Sequence, residues 1–311
     1  MRITSSPHTI TDNVLVLGPI QYPMYLVRDA NEALIFEGGV GACGPVIVEH
    51  LAQLGLAGDC VRQIVVTHGH PDHVMAVPAL RVMSPGARVL ASAQAAAVMA
   101  NEKAIGFFCK MDGIVTDWLL KTGAIKEQHR PAALTERKIL VDVVLKEGDT
   151  VAVGSLRFDV LATPGHSDCH LSFFEPTRKL LVASDATGFY MPELGEAWWP
   201  GYFTDYGQYM NSLRRLAALN AEVLCLSHNA VVVGEAAVKS YFAGAMAATE
   251  AYHQRIVEAV KAGKDVQELA NELGAEAHAQ AGRLPLDFFQ KSCHLLVKHS
   301  LRHEGIEAAQ S

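Results

Sequence analysis

The feature that most limits what this chain can fold into is the stretch THGHPDH at positions 67–73, directly behind the apolar run at 64–66. It places three histidines and one aspartate within six positions. A single histidine beside apolar residues is more often a packed loop residue than a ligand. Four ligand-type side chains in one short loop at the end of a strand-like segment instead predict a metal site.

Length and charge narrow the class of protein. The chain has 311 residues, half of them hydrophobic, and a net charge of −7 at pH 7. The negative charge disfavours nucleic acid and anionic membrane, so we expect a small-molecule partner. Neither a signal segment nor an apolar run of membrane-spanning length is visible, which predicts a cytoplasmic protein. Six cysteines without a Cys-x-x-Cys pair predict thiols that form no disulfides.

Apolar periodicity predicts two strand-rich halves followed by helices, which indicates an α/β fold with helices outside packed sheets and a helical tail. The predicted strands cover residues 14–17, 25–27, 33–36, 64–66, 87–91, 139–145, 150–153, 156–161, 179–183 and 223–226. Predicted helices cover 45–54, 92–101 with Ser92 as N-cap, one helix in an insertion at 104–138, 236–262, 265–273 ended by Gly274, and 287–304 ended by Gly305. We therefore expect a core at 1–235 and a C-terminal helical cap at 236–311.

Four of these strands end in ligand-type side chains, which are His68, His70, Asp72 and His73 after the first, then His166, Asp185 and His228. Strand ends along one edge of an α/β structure form the crevice where ligands bind, so these loops are expected to converge. His68, His70 and His166 would hold one divalent ion. Asp72, His73 and His228 would hold a second, with Asp185 bridging both. Nitrogen and oxygen donors suit zinc first, and also iron or manganese.

The stretches THGHPDH, TPGHSDCH, ASDATG and LSHNA resemble, in order and spacing, the metal motifs of the metallo-β-lactamase superfamily. The resemblance covers roughly residues 10–235 and implies an αββα sandwich with a dinuclear site at one edge. Two positions depart from the family pattern. Met75 stands where glycine is common, which bears on how closely a substrate approaches the loop. Glu37 stands where many members carry aspartate.

Within the superfamily, the stretches at 34–39, 166–170 and 196–199 and the helical tail are similar to the quinolone-signal response thioesterases, which act on 2-aminobenzoylacetyl-CoA. The chain also resembles the acyl-homoserine lactonase and glyoxalase II branches. These resemblances imply hydrolysis of an acyl ester or thioester.

The predicted chemistry uses two ions that share one water and lower its pKa from about 15.7 to about 7, so that a metal-bridged hydroxide attacks the carbonyl. Asp72 and Asp185 are the predicted catalytic carboxylates, with Asp185 as the bridge. For an alkoxide or amine leaving group, the proton would come from Asp72 or from the bridging water itself. The leading hypothesis is a thioester or related carboxylic ester as substrate. The alternatives are an acyl-homoserine lactonase, a phosphodiesterase, or a metal-bearing effector that acts mainly through a protein partner.

The candidate substrate-binding residues are Phe107, Trp198, Trp199 and Ser292. Packing into the core is the simpler interpretation for Phe107, whereas packing and pocket are equally supported for the two tryptophans. Ser292 lies on the last predicted helix, which either caps the site or packs elsewhere, for example in a homodimer. The basic residues Arg130, Arg137 and Lys138 either contact phosphates of a carrier such as coenzyme A or belong to a solvated loop, and the second is the simpler interpretation.

Overall fold

A computed structural model describes residues 1–282 and 284–307, which form sixteen strands and eight α-helices. The strands are β1 (Arg2–Ile3), β2 (His8–Thr11), β3 (Val14–Leu17), β4 (Met24–Asp29), β5 (Glu32–Phe36), β6 (Val61–Val65), β7 (Arg88–Ser92), β8 (Val143–Leu145), β9 (Thr150–Val153), β10 (Leu156–Ala162), β11 (Leu171–Glu175), β12 (Leu180–Val182), β13 (Phe189–Met191), β14 (Ala197–Trp199), β15 (Val223–Cys225) and β16 (Val231–Val233). The helices are α1 (Cys43–Gln53), α2 (Val77–Met83), α3 (Ala93–Met99), α4 (Glu102–Lys121), α5 (Tyr206–Ala217), α6 (Glu235–Lys261), α7 (Val266–Ala281) and α8 (Leu286–His303).

The chain divides into two compact units. The first unit comprises Met1–Ala162, Cys169–Ser184 and Ala221–Val238. The second unit comprises the other described residues, in segments that begin at Thr163, Asp185 and Lys239. The predicted cap at 236–311 also includes position 283 and positions 308–311, which lie outside the described residues.

Two seven-stranded sheets form the first unit, in the orders β1-β16-β15-β12-β11-β10-β9 and β2-β3-β4-β5-β6-β7-β8. Their apolar faces share one core, in which the Phe36 ring lies 4.9 Å from the rings of both Phe158 and Phe173. Along β10, alternate residues are buried because successive side chains of a strand point to opposite faces. The predicted α/β fold with packed sheets is confirmed.

Strands β5, β6, β7 and β8 run parallel, so each connection between them must cross over the sheet. Helix α1 makes the first crossover, α2 the second, and α3 with α4 the third. Ser92 caps α3 as predicted, since its hydroxyl accepts a hydrogen bond from the amide of Ala95 at 3.2 Å. The loop after β6 therefore leaves the carboxyl edge of a buried parallel strand.

Helix α4 is the one α-helix in the predicted insertion, and it begins at Glu102 behind the N-cap Asn101. The side chain of Asn101 accepts hydrogen bonds from the amides of Lys103 and Ala104 at 3.0 and 3.2 Å. The strand predicted at 139–145 is shorter in the structure and covers only Val143–Leu145.

In the second unit, the prediction that Gly274 ends a helix is wrong. Helix α7 continues through it to Ala281 and ends at Gly282, which has a φ of 57°. A Cβ at position 274 would lie 2.6 Å from Cα of Gln290 on α8. The glycine lets α7 and α8 pack closely, a use that sequence alone does not distinguish from a helix end. Gly305 does follow the end of α8, as predicted, with a φ of 65°.

Sequence patterns did not predict α2, α5 or several short strands. Helix α5 nevertheless begins with a clear signal, because Asp205 accepts a hydrogen bond from the amide of Gln208 at 2.7 Å. The six cysteines form no disulfide, as predicted. Among the described residues, none of the helices combines the length and the apolar character needed to cross a membrane.

Candidate metal centre

The loop that follows β6 carries four of the predicted ligands and is tied to β11. It ends in a single 3-10 turn over Pro71–His73. The amide of Leu171 donates a hydrogen bond to the carbonyl of Thr67 at 2.9 Å. The amide of Gly69 donates to Sγ of Cys169 at 3.3 Å. These bonds attach the histidine-rich loop to a strand of the opposite sheet within the first unit.

The structure brings all seven predicted ligand residues into two groups of ligand atoms. Within each group, one nitrogen or oxygen atom of every side chain lies within 4.8 Å of those of the others. The first group is His68, His70, His166 and Asp185, and the second is Asp72, His73 and His228. His68, His70 and His166 share one group and Asp72, His73 and His228 the other, whereas Asp185 is grouped with the first three, so its predicted bridging of two ions stays a prediction. That each residue binds a metal ion stays a prediction.

The two histidines of the second group are held by protein acceptors. Nδ1 of His73 lies 2.8 Å from Oε2 of Glu37, and Nδ1 of His228 lies 2.9 Å from the carbonyl oxygen of Gln21. Because a carboxylate and a carbonyl only accept, each Nδ1 carries the hydrogen and each Nε2 carries the lone pair. Both Nε2 atoms face Oδ2 of Asp72, at 3.7 and 3.6 Å. The three donor atoms therefore point at one position.

The first group contains the same kind of support. Nδ1 of His166 donates to the carbonyl of Gly201 at 2.9 Å, and its Nε2 lies 3.4 Å from Oδ2 of Asp185. Nε2 of His68 and Nδ1 of His70 lie 3.0 Å apart. Protein acceptors on the far nitrogen of a histidine are typical of metal ligands, because they fix both tautomer and ring orientation.

Glycines next to these histidines make room for close backbone contacts. Gly165 has a φ of 119°, and a Cβ there would lie 2.2 Å from the backbone nitrogen of Tyr209. A Cβ at Gly201 would lie 2.9 Å from Nδ1 of His166. A Cβ at Gly38 would lie 2.2 Å from the carbonyl oxygen of His73. These positions accept only glycine without displacing a predicted ligand or its support.

Sequence reasoning missed the role of Glu37, although it noted the residue as a departure from the family pattern. Its side chain is 2% exposed and bonds His73, while the hydroxyl of Thr67 donates to its Oε2 at 3.1 Å. The backbone of Glu37 has a φ of 78°, which is rare for a residue with a side chain. Two consecutive glycines after a buried strand were the available signal of this tight turn.

Three other residues near the candidate ligands differ in burial. Asp168 is exposed, whereas His170 is buried with its ring centroid 4.8 Å from that of His68. Met75 is buried, and its amide donates to the carbonyl of Gly39 at 2.9 Å. The side chain of Met75 therefore occupies space beside the histidine-rich loop, called the metal loop below. A glycine at this position would leave that space open.

The four candidate substrate-binding residues are not brought together by any contact within one unit. Phe107 is 53% exposed on α4, so the expectation of core packing is wrong for it. In the second unit, the ring centroids of Trp198 and Tyr190 lie 5.0 Å apart, and those of Trp199 and Tyr252 lie 6.4 Å apart. Ser292 bonds its own helix, donating to the carbonyl of Phe288 at 2.9 Å. Their roles in substrate binding stay predictions.

The residues present fit a divalent metal ion. The two groups supply five imidazole nitrogens and two carboxylates, without a cysteine thiolate. Such mixed donor sets suit zinc, iron and manganese, whereas thiolate-rich sets favour softer metal ions. Nδ1 of His73, His166 and His228 each donates to a carboxylate or carbonyl oxygen, and Nδ1 of His68 lies 3.1 Å from the hydroxyl oxygen of Thr67.

Comparison with known proteins gives a consistent assignment. The sequence-family model of the metallo-beta-lactamase superfamily matches residues 17–228 of this chain. A hydroxyacylglutathione hydrolase of Cereibacter sphaeroides is 29% identical over 210 residues, which cover 66% of this chain and 61% of that protein. The match thus spans less than two thirds of that relative. An uncharacterized protein of Aquifex aeolicus is 29% identical over 174 residues, 55% of this chain and 68% of that one.

Solved structures show the same fold. A metallo-beta-lactamase family protein from Thermus thermophilus superimposes with a TM-score of 0.66 at 22% identity, covering 96% of this chain and 95% of that one. An archaeal superfamily protein from Sulfolobus tokodaii gives 0.55 at 21% identity, covering 75% and 86%. At such identities the likeness concerns the fold alone. The family model matches well over half of the residues of this chain, so the chain belongs to the metallo-beta-lactamase superfamily.

Proposed function

We propose that this protein is a dinuclear metal-dependent hydrolase that cleaves a thioester or a related carboxylic ester. One observation carries the proposal: two compact groups of ligand-type side chains lie beside each other. The rings of His68 and His73, which belong to different groups, have centroids only 4.1 Å apart. A protein that merely bound a partner would not need two neighbouring sets of metal ligands.

In this proposal His68, His70 and His166 would hold one ion. Asp72, His73 and His228 would hold the other, and Asp185 would serve as a ligand to both. Bound divalent ions would lower the pKa of water and polarise the carbonyl of the substrate. The side chain of Asp185 is only 10% exposed, which keeps its oxygens out of bulk water and available for binding.

Asp72 has a second role in the proposal, as the group that passes a proton to the leaving group. Its side chain is 29% exposed, the more accessible of the two carboxylates in the metal groups. An alkoxide leaving group requires such a proton, whereas a thiolate with a pKa of about 8.5 leaves almost unaided. A thioester therefore makes the smallest demand on the residues present.

The names of relatives support the same substrate class. Several are hydroxyacylglutathione hydrolases, and hydroxyacylglutathione is a thioester. Acyl-homoserine lactones and phosphodiesters are the rival substrates, because the same metal chemistry would serve them.

The test uses protein reconstituted separately with zinc, iron or manganese and assayed on a thioester, an acyl-homoserine lactone and a phosphodiester. We expect about two ions per chain and the highest kcat/KM on the thioester. His166→Ala should reduce turnover by orders of magnitude. His8→Ala is the matched control, since His8 is exposed on β2 and lies outside both groups.

Each outcome decides between the alternatives. Preference for the lactone or the phosphodiester would replace the thioester as substrate while keeping the metal chemistry. Fewer than one ion per chain after loading, or equal activity in His166→Ala and His8→Ala, would overturn the hydrolase proposal.

A further inference from the structure

A cavity of about 380 Å³ lies beside α4 in the first unit. Cys109, Asp112 and Thr116 on α4 line one side, and Pro131 and Arg137 belong to the segment that lines the other. Met75, two residues beyond the metal loop, is also part of the wall. The volume lies within the range of small-molecule sites, about 300–1,000 Å³.

The cavity contains a buried polar group whose bonding is incomplete. Thr116 is 1% exposed, and its hydroxyl has no hydrogen-bond partner in the described part of the chain. Buried hydroxyls nearly always have a partner, because leaving one unpaired in the protein interior destabilises the folded state. A bound molecule with a polar atom near Thr116 would remove this cost.

Asp112 is the second buried polar group, and its position is closely determined. One of its oxygens accepts a hydrogen bond from the amide of Gly41 at 2.6 Å. A Cβ at Gly41 would lie 2.5 Å from the other oxygen and 3.0 Å from Pro131. Burial raises the pKa of Asp112 to about 6, while the bond from Gly41 lowers it and the charge of Asp72 raises it. Near neutral pH this carboxylate would accept a hydrogen bond from a donor placed in the cavity.

The basic residues around the cavity differ in their partners. Arg130 pairs with Asp117 and Glu127, and Nζ of Lys138 lies 3.2 Å from Glu102. Arg137 has no ion pair within residues 1–282 and 284–307, and its side chain is exposed at the cavity. Among these three residues, Arg137 is the one whose charge is available to a ligand.

The cavity lies next to the second metal group. Helix α4 packs against the turn Pro71–His73. This turn carries Asp72 and His73, two of the three residues of the second metal group. The charge of Asp72 acts on Asp112, and the thiol of Cys109 is within electrostatic reach of both Asp112 and Arg137. A molecule in the cavity would therefore extend from the neighbourhood of Asp72 toward Arg137.

We propose that this cavity binds the leaving-group half of the substrate, and that this half carries a carboxylate or phosphate for Arg137 and an N–H donor for Asp112 and Thr116. The description of the ligand as a leaving group rests on the proposed hydrolase function. The binding site itself rests on the cavity and its polar residues. A guanidinium binds either anion through paired hydrogen bonds, so the two anions share one recognition chemistry.

The first experiment measures binding to the zinc-loaded full chain, with methionine methyl groups labelled by ¹³C. The probes are N-acetyl-S-methylcysteine, which carries a carboxylate, and N-acetyl-O-phosphoethanolamine, which carries a phosphate. Both have an amide N–H and lack a thiol. We expect saturable shifts of the Met75 methyl signal, assigned with Met75→Leu, and a Kd on the order of 1 mM. The probe that binds more tightly identifies the preferred anion.

Three variants locate the binding. Arg137→Gln should weaken it about tenfold or more, because a charge-assisted contact is lost. Lys138→Gln removes the same charge from the adjacent residue and should change the Kd less than about twofold. Gly113→Leu should abolish binding without loss of fold, since a Cβ there meets nothing within 4 Å and leucine favours helix.

A kinetic experiment separates this inference from the proposed function. It compares two acetyl thioesters, one of N-acetylcysteine and one of neutral N-acetylcysteamine. The wild type should prefer the anionic ester about tenfold in kcat/KM, and Arg137→Gln should bring the ratio toward one. Probe binding without turnover of either ester would sustain the cavity and reject the thioesterase. Turnover with no probe binding, or with equal effects of Arg137→Gln and Lys138→Gln, would overturn the inference and leave the thioesterase.

Discussion

The turn Pro71–His73 of the second candidate metal group packs against α4, which lines the cavity, but the candidate metal groups and the cavity are organised in different ways. Four of the seven ligand-type residues occupy six consecutive positions, and several of their rings are oriented by identified acceptors. The cavity takes its polar groups from separate elements and leaves the hydroxyl of Thr116 without a partner among the described residues. Metal chemistry requires short distances between many donors, whereas recognition of a substrate tolerates dispersed contacts.

This comparison predicts two kinds of mutational effect. Changes in the metal groups should reduce hydrolysis of every substrate by a similar factor. Changes in the cavity should alter the ratio between substrates that differ in their leaving groups.

The largest effect is expected in the metal groups. Asp185→Asn keeps the shape of the side chain but removes its charge and one good donor oxygen, so turnover of both the anionic and the neutral thioester should fall by orders of magnitude. Metal content should fall below two ions per chain, measured by elemental analysis of loaded protein. Unchanged metal content together with unchanged turnover would show that Asp185 does not bridge the ions.

A smaller effect is expected at a residue that contacts a candidate ligand rather than a metal ion. Glu37→Gln should lower metal affinity about 10- to 100-fold, because the residue that orients His73 loses its charge. Competition with a chelator measures the affinity. Glu49→Gln is the matched control, since Glu49 bonds His129, which lies outside both metal groups. Equal affinities of the two variants would reduce Glu37 to a structural residue of its turn.

The smallest effect concerns the free energy of unfolding of the metal-free protein, to which Asp112 in the cavity contributes. Burial raises the pKa of Asp112 to about 6, above the value of about 3.8 expected in the unfolded chain. The folded state therefore holds this proton more tightly, so the free energy of unfolding should decrease as pH rises from about 4 to about 7. Asp112→Asn should remove that decrease, which is on the order of 2 kcal/mol.

The measurement is urea unfolding of both proteins at several pH values, reported as the difference between variant and wild type. Taking the difference cancels other titrating groups, including Glu49 and His50. Asp72, whose charge acts on Asp112, is unchanged in both proteins, as are Cys109 and Arg137, which line the same cavity. A difference that does not vary with pH would mean that Asp112 has an ordinary pKa.

Local sequence patterns predicted most of the first unit. Strands such as Val14–Leu17 and Thr150–Val153 match their predicted bounds, because apolar runs between turn residues have few other ways to be buried. The same reasoning failed at Gly274, where a glycine permits contact between helices rather than ending one. A single chain position does not reveal which neighbour, if any, will approach it.

Local patterns in the chain predicted the family, the α/β fold and the seven candidate metal ligands. These follow from close spacing and from strand ends, which are local properties of the chain. The folded chain adds that Glu37 and the carbonyls of Gln21 and Gly201 orient three histidines, and that Arg137 and Thr116 border one cavity. Those contacts join residues far apart in the chain, and their distances are set by the packing of sheets and helices rather than by any local preference.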